Sequence, residues 1–400
     1  MNLTETHQIR PNHKLYSICD ELCFKSKNLY NAALFEFRQS YFDKEVDTLN
    51  WQNLNRIFNQ NNQFDYRELP SKVSNTVLKK LGNNISSFWS LVKKPDYKKK
   101  VRLPKYLHKT DGRFIVEFNK QTFSNKRDED NNLIICKSSL NLKIPTKVEN
   151  PQQIRIVPKT GCYLIEVVYE IKENKIKKNQ RVASIDLGLN NLATVVTNDG
   201  DNPILISGGK IKSINQYYNK ITSQKKALLP YNVFTSKSLD RLWLKRNNKI
   251  SYEIHKITKF LANYFDERDV SKVIIGNNSG WKNGINLGKR NNQNFVNIPY
   301  SKFINQLTYK CQLLGITVIT REESYTSKAS FLDYDEIPNY KDETIPKFSG
   351  KRIKRGLYRS ATRKINADVN GAYNIMVKEN PNYIISNREQ LGFNPTLIKL

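Results

Sequence analysis

The sequence predicts a multidomain chain with an α segment, a small β segment and a larger α/β segment. Three observations predict it. Apolar residues recur with a helical period over residues 14–92, and short alternating or β-branched runs replace them over 112–170. From Val182 onward strands and long helical stretches are mixed. At 400 residues the chain has room for two or three domains of roughly 100–200 residues each. With 38% hydrophobic residues and 21 Tyr, 18 Phe and 4 Trp spread along the sequence, it can build real cores.

Residues 1–13 are assigned to the β domain as its N-terminal strand. From Lys14 to about Phe42, Leu15, Ile18, Leu22, Leu29, Ala33 and Phe37 mark one face of a helix. A second face runs from Ser71 to Val92 through Val73, Val77, Leu81, Ile85 and Phe88. The Asn- and Gln-rich stretch between them, closed by Pro70, reads as loop and short helix. Residues 14–92 therefore form a helical domain. Cys19 and Cys23 lie one turn apart and are expected in its core.

The run LVKKPDYKKKVRLPKYLHKT (91–110) holds eight Lys/Arg and one acid. Its prolines break helices, so an extended basic connector is expected. Lys98, Lys99, Lys100 and Arg102 are its candidate phosphate contacts. Tyr97, Tyr106 and His108 are placed to stack on bases. GRFIVEF, NLIICKS, LNLKIPT, QIRIV and CYLIEVVYEI then read as five short strands, which suggests a small barrel or curled sheet. With the connector they make a β domain over 93–180, ending in the polar linker ENKIKKNQR.

Residues 181–400 form the third domain. VASIDLG, NLATVVTND and NPILISGGKI are strands joined by tight turns. Helices are expected at about 209–229 and 237–266, a fourth strand at KVIIGNN, a helix at about 299–314, a fifth strand at ITVITREE and a last helix at about 366–379. Three strands, helix, strand, helix, strand, helix is the ribonuclease-H-like order, an α/β layout with helices on the faces of a mixed sheet.

Charge narrows the function. The chain has 66 Lys and Arg against 37 Asp and Glu, a formal net charge of +29. Such self-repulsion calls for a polyanionic partner. No apolar run approaches the length of a membrane span, and the first residues lack the apolar core of a secretory signal. Five cysteines without a CxxC pair fit a reduced, cytoplasmic setting. No Cys follows Cys311 and no His follows His255, so a Cys/His zinc site after residue 311 is ruled out.

Two acids stand out in this basic chain. Asp186 ends the apolar first strand, where an ionised carboxylate is costly unless something binds it. Asp368 lies in INADVNGAYNI at the start of the last helix, among Asn366, Asn370 and Asn374 at four-residue spacing. If that helix crosses the sheet beside the first strand, the two acids converge and could share Mg²⁺, with Mn²⁺ as an alternative. Two such ions would activate water and stabilise the leaving oxygen in phosphodiester hydrolysis. A third carboxylate is expected from the neighbouring sheet. The fourth strand offers only Gly276 and Asn277, so Glu323, with Glu322 as its alternative, is the candidate. Lys351, Arg352, Lys354 and Arg355 open a run of seven Lys/Arg (351–364) and are candidate strand contacts. The Gly- and Asn-rich stretch 277–295, with Trp281 and Lys282, is expected as a loop near the site.

Taken together, IDLGLNNLATVVTNDG, LWLKRNNKISYEIHKITKFL, IPYSKFINQLTYKCQLLGI, ESYTSKASF, SGKRIKRGLYRS and INADVNGAYNIMVK resemble the TnpB family of transposon-encoded RNA-guided nucleases, relatives of the type V CRISPR effectors. The resemblance covers almost the whole chain. It implies a helical recognition domain, a β-barrel wedge domain and a RuvC-like nuclease domain. It also implies a guide RNA from the transposon end and Mg²⁺-dependent cleavage of double-stranded target DNA, in the nucleoid of a prokaryote. Asp186 and Asp368 match the family's first-strand and final-helix aspartates. Two departures are visible. Gly276 stands where a Glu is usual, and the four-Cys zinc finger is missing from a degenerate insertion at about 327–364. The Glu of ESYTSK resembles the relocated acid of one branch. Two readings stay open: an RNA-guided endonuclease, or a nuclease-inactive RNA-guided DNA-binding repressor. A nuclease without a guide would leave the first 180 residues unexplained.

Overall fold

A computed structural model describes residues 1–42, 50–94, 100–123, 127–135, 142–277, 297–339, 346–388 and 394–400. Lys98, Lys99, Tyr97, Cys136, Trp281 and Lys282 lie outside them. The chain divides into two compact units, Met1–Lys172 and Glu173–Leu400.

In the first unit, β1 (Asn2–Ile9) precedes four helices: α1 (Tyr16–Phe42), α2 (Trp51–Gln60), α3 (Phe64–Arg67) and α4 (Ser71–Val92). Five strands follow: β2 (Val116–Asn119), β3 (Asn132–Ile134), β4 (Lys143–Pro145), β5 (Pro151–Lys159) and β6 (Cys162–Glu170). The predicted helical faces are the buried ones. Leu22, Leu29 and Phe37 of α1 and Val73, Val77 and Leu81 of α4 share a core with Phe118, Ile156 and Val167 of the sheet. Cys19 and Cys23 lie in it, and burial pushes the Cys19 thiol up to about 12. The sequence expectation is a small barrel or curled sheet. Among the described pairings, β1, β6, β5 and β2 form an antiparallel sheet in that order, and β3 and β4 form a separate ribbon. β1 pairs with β6 along its whole length, from Asn2↔Glu170 to Ile9↔Tyr163.

The basic connector is not a loose linker. Polar side chains of α1 hold its described part. Asn31 donates to the carbonyl of Leu107 and accepts from its N–H, both at 2.9 Å. The buried Lys27 donates to the carbonyl of Lys109 at 2.7 Å. Tyr106 carries the Arg38 guanidinium over its ring, so that face is already occupied.

The second unit is built on a six-stranded sheet. Its strands are β7 (Val182–Asp186), β8 (Asn191–Thr197), β9 (Ile204–Ser207), β10 (Lys272–Gly276), β11 (Thr317–Arg321) and β15 (Thr396–Ile398), in the order β11-β10-β7-β8-β9-β15. β7 pairs antiparallel with β8 and parallel with β10, and β10 pairs parallel with β11. Its central strands β7, β8 and β10 are buried on both faces, as their nearly continuous apolar sequences require. On one face Ala183, Ile185, Val273 and Ile275 meet Ile254, Ile257, Leu261 and Phe265 of α6 (Lys237–Glu267) and Phe303 and Leu307 of α7 (Tyr300–Leu313). α5 (Gly209–Ala227) adds Ile211. On the other face Val182, Val196 and Ile274 meet Val369, Tyr373, Ile375 and Met376 of α8 (Ala367–Glu379). The mixed α/β layout matches the sequence expectation. Two elements were not foreseen: β15 at the edge, and a small sheet of β12 (Lys351–Lys354), β13 (Leu357–Arg359) and β14 (Lys364–Asn366) made by the basic run.

The asparagines of α8 play a structural part. Asn366 caps the helix, accepting from the N–H groups of Asp368 and Val369. Asn370 accepts from the Phe331 N–H at 3.0 Å and donates to the Ala329 carbonyl at 2.8 Å. Asn374 donates to the carbonyls of Thr326 (2.8 Å) and Ala329 (2.7 Å). One turn on, Lys378 donates to Glu322 Oε2 (2.6 Å) and to the carbonyls of Ser324 and Pro338. In the insertion, Asp335 accepts from the N–H groups of Ser330 and Ser349, and Asp333 from the Ser330 hydroxyl and the Ala361 N–H. Phe331 stacks on Tyr373 with centroids 4.5 Å apart. Asn374→Ala would leave the Thr326 carbonyl without its donor, while the Ala329 carbonyl keeps its bond from Asn370. Urea denaturation is expected to show a loss of about 1–3 kcal/mol.

Candidate active site

Asp186 is the last residue of β7, opposite Thr194 of β8. The strand's alternation sends Ala183 and Ile185 into one core and Val182 into the other, so its C-terminal end is fixed from both faces. The carboxyl of Asp186 opens into a cavity of about 710 Å³, also lined by Glu323, Asp368, Arg352, Arg355 and Gly371. The structure thus brings the three acids singled out in the sequence to one cavity, from the end of β7, the segment after β11 and the first turn of α8. Crowding is close on the helix side: a Cβ at Gly371 would stand 3.0 Å from Asp186 Oδ2. A side chain there would need the Asp186 carboxyl to give by a few tenths of an ångström.

Glu322 and Glu323 have different roles. Glu322 pairs with the buried ammonium of Lys378. Burial alone would raise its carboxyl, but Lys378 and Ser324 outweigh burial and hold it below its ordinary value. Glu323 turns the other way and reaches back over β10. A Cβ at Gly276 would lie 2.6 Å from Glu323 Oε2 and 2.5 Å from Ile375 Cδ1. The carboxylate of Glu323 therefore occupies the space that a side chain at position 276 would enter.

Electrostatics set this cavity apart. Burial pushes Asp186 well above its ordinary range, and the charges of Glu323 and Asp368 add to the push, against Arg352. Burial and then the Glu322 charge raise Glu323 to about 7, with Lys378 opposing. Asp368 is held at both oxygens: Asn191 donates to Oδ2 at 2.9 Å and Arg352 Nη2 to Oδ1 at 3.2 Å. Tyr300 at the start of α7 donates to the Gly188 carbonyl at 2.9 Å, bracing the turn after Asp186. Burial, Asp186 and Glu323 all raise its phenol, which keeps the proton it donates. Sequence reasoning missed Asn191 and Tyr300. Their signals were an extra amide in the turn after IDLG and a tyrosine directly after Pro299.

The donor set fits a hard divalent cation. Its three carboxylates are oxygen ligands, and two are driven toward protonation by burial, Asp186 also by the charges of Glu323 and Asp368 and Glu323 also by that of Glu322, which a cation would oppose. Among the described residues, no three His, Cys, Asp or Glu side chains form a closed cluster of ligands, so the acids share a cavity rather than a point. Lys351, Arg352, Lys354 and Arg355 are all exposed along and just beyond β12, and Arg352 and Arg355 reach the cavity wall. Lys100 and Arg102 belong to the first unit and are not part of this site. No helix among the described residues is long and apolar enough to cross a membrane.

The comparisons bear out the resemblance to the TnpB family. Residues 162–282 match the OrfB_IS605 family, described as a probable transposase, and residues 300–375 match the Cas12f1-like TNB domain. Asp186 falls in the first match, and Glu323 and Asp368 fall in the second. The chain is 25% identical over 398 residues to the TnpB-like protein ORF457 of Acidianus two-tailed virus, covering 88% of this chain and 81% of that protein. Among solved structures it is similar to a Cas12f1–sgRNA–target DNA complex, with TM-score 0.52 and 15% identity over 90% of this chain and 82% of that one.

The raised Glu323 gives a pH dependence. A carboxyl whose folded value (about 7) exceeds its ordinary 4.5 binds protons more tightly in the folded chain. Its contribution is fully present below about 4.5 and is lost as pH rises to 7. In EDTA, thermal and urea unfolding of the Glu323→Gln variant should lose a downward slope worth roughly 3 kcal/mol across that window relative to the parent chain.

Proposed function

We propose that this chain is an RNA-guided DNA endonuclease, with a RuvC-like nuclease centre formed by Asp186, Glu323 and Asp368. The observation that carries this reading is the meeting of the three acids in one cavity under an exposed basic strand. Glu323 also fills the space over Gly276. That supports a complete acidic set and favours cutting over a binding-only repressor.

The three carboxylates would hold Mg²⁺, or Mn²⁺ in its place, which would neutralise charge at the scissile phosphate and lower the pKa of the attacking water. The protein's own groups do the remaining work. Asn191 keeps Asp368 facing the cavity. Gly371 lets Asp186 lie against α8. Tyr300 steadies the turn behind Asp186. Arg352 and Arg355 neutralise the non-bridging phosphate oxygens and position the strand. Water adds to phosphorus, the bond to one sugar oxygen breaks, and that oxygen takes up a proton. Glu323 is close enough to neutrality to hold or release a proton at its carboxylate when no cation opposes it.

The proposed partners are a guide RNA from the transposon end and double-stranded target DNA. In this reading residues 14–92 serve as the recognition domain and 1–13 with 93–180 as the wedge domain. Lys98, Lys99, Lys100, Arg102, Lys351 and Lys354 contact the nucleic-acid backbone. Purification from cells carrying the flanking DNA, sequencing of bound RNA and a plasmid cleavage assay with Mg²⁺ test the proposal. A discrete co-purifying RNA is expected, and its absence defeats the guided reading. Asp186→Ala, Asp368→Ala and Glu323→Gln should each slow cleavage by at least about 100-fold while nucleic-acid binding persists. Glu322→Gln should still cut, with a lower melting temperature from the lost Lys378 pair.

A further inference from the structure

Away from the cavity, α6 and α7 pack side by side and bring a set of cations together. Lys302 of α7 donates to the Ser251 hydroxyl of α6. Two turns on, Lys310 donates to the His255 carbonyl and the Thr258 hydroxyl, each at 2.7 Å. Between them Gln306 accepts from Thr258 at 3.4 Å. Lys259 and His255 are exposed on the same stretch of α6. None of these residues lines the cavity of the three acids.

Among the described residues no carboxylate pairs with Lys259, Lys302, Lys310 or His255. The acid on this part of α6, Glu253, is buried and pairs with Lys210. Burial and Lys259 push the Lys310 ammonium down to about 8. Burial and then Lys310, Lys259 and Lys302 push His255 below its ordinary value. Lysines free to move would swing apart. Here hydrogen bonds to α6 anchor two of them, so the fold keeps like charges together at a cost. His255 and Lys259 stand one turn apart on α6, about 6 Å along the axis, and Lys302 and Lys310 two turns apart on α7, about 12 Å, a spread that suits a repeating anion better than a single one.

We propose that this face of α6 and α7 is a binding track for a nucleic-acid phosphodiester backbone, seated on Lys259, Lys302, Lys310 and His255. It requires that the chain bind nucleic acid, not that it cut. The test therefore omits divalent metal. The full chain in EDTA is titrated with labelled single-stranded DNA, single-stranded RNA and an RNA–DNA hybrid of equal length across a salt series. Each lost phosphate contact lowers the slope of log affinity against log salt by about 0.7–0.9. The Lys259→Gln/Lys302→Gln/Lys310→Gln variant should lose about 2–3 of slope, and the probe that loses most identifies the strand held there. An unchanged slope with all three probes overturns the proposal. Displacement of the probes by polyglutamate from the parent chain but not from the variant overturns it too, since the face would then fit an acidic protein. Should the variant fail to fold, lysine acetylation of the parent chain decides: Lys302 and Lys310 should be protected by bound probe, and unaltered labelling rejects the track.

Discussion

A buried stripe of polar side chains on α8 determines where the catalytic candidates stand. Asn366, Asn370, Asn374 and Lys378 recur every fourth residue and so share one helix face. Asn370, Asn374 and Lys378 tie down the carbonyls of Ser324, Thr326, Ala329 and Pro338, so the chain leaving β11 must run along the helix. Glu322 is drawn to Lys378, and Glu323, facing the other way, is left over the end of β10. The apolar side of the same helix packs on the sheet through Val369, Tyr373, Ile375 and Met376. One helix thus sets the distance between Asp186, Asp368 and Glu323.

Charge is divided along the same lines. The +29 excess is broken at the cavity by three acids, and burial makes two of them, Asp186 and Glu323, reluctant to ionise. The basic strand β12 stands beside it, with Arg352 already turned toward Asp368. A polyanion attracted by the whole chain would be repelled by bare carboxylates and accepted once their charge is balanced.

Much of this was legible in the sequence. The apolar periods of α1 and α4 are strong and long, and their buried faces are the predicted ones. Asp186 stood out because an ionised acid in an apolar strand is costly, and Asp368 because it lies among Asn366, Asn370 and Asn374 at the start of the last helix. The asparagines of α8 were seen, but not what they hold: Asn370 and Asn374 satisfy backbone groups of a segment some 40 residues earlier in the chain, a pairing that no local pattern encodes. The strands β12–β14 were hidden because charged residues carry little of the alternation that marks a strand. The choice between Glu322 and Glu323 was legible only as parity, since the deciding partner, Lys378, lies 56 residues on from Glu322.

The space over Gly276 holds one carboxylate. Glu323 fills it from the next strand, and even a methyl group on residue 276 would collide with that carboxylate and with Ile375. A side chain at 276 could enter only if the Glu323 carboxylate and the tip of Ile375 swung aside, so what stands at one of the positions 276 and 323 limits what the other can carry.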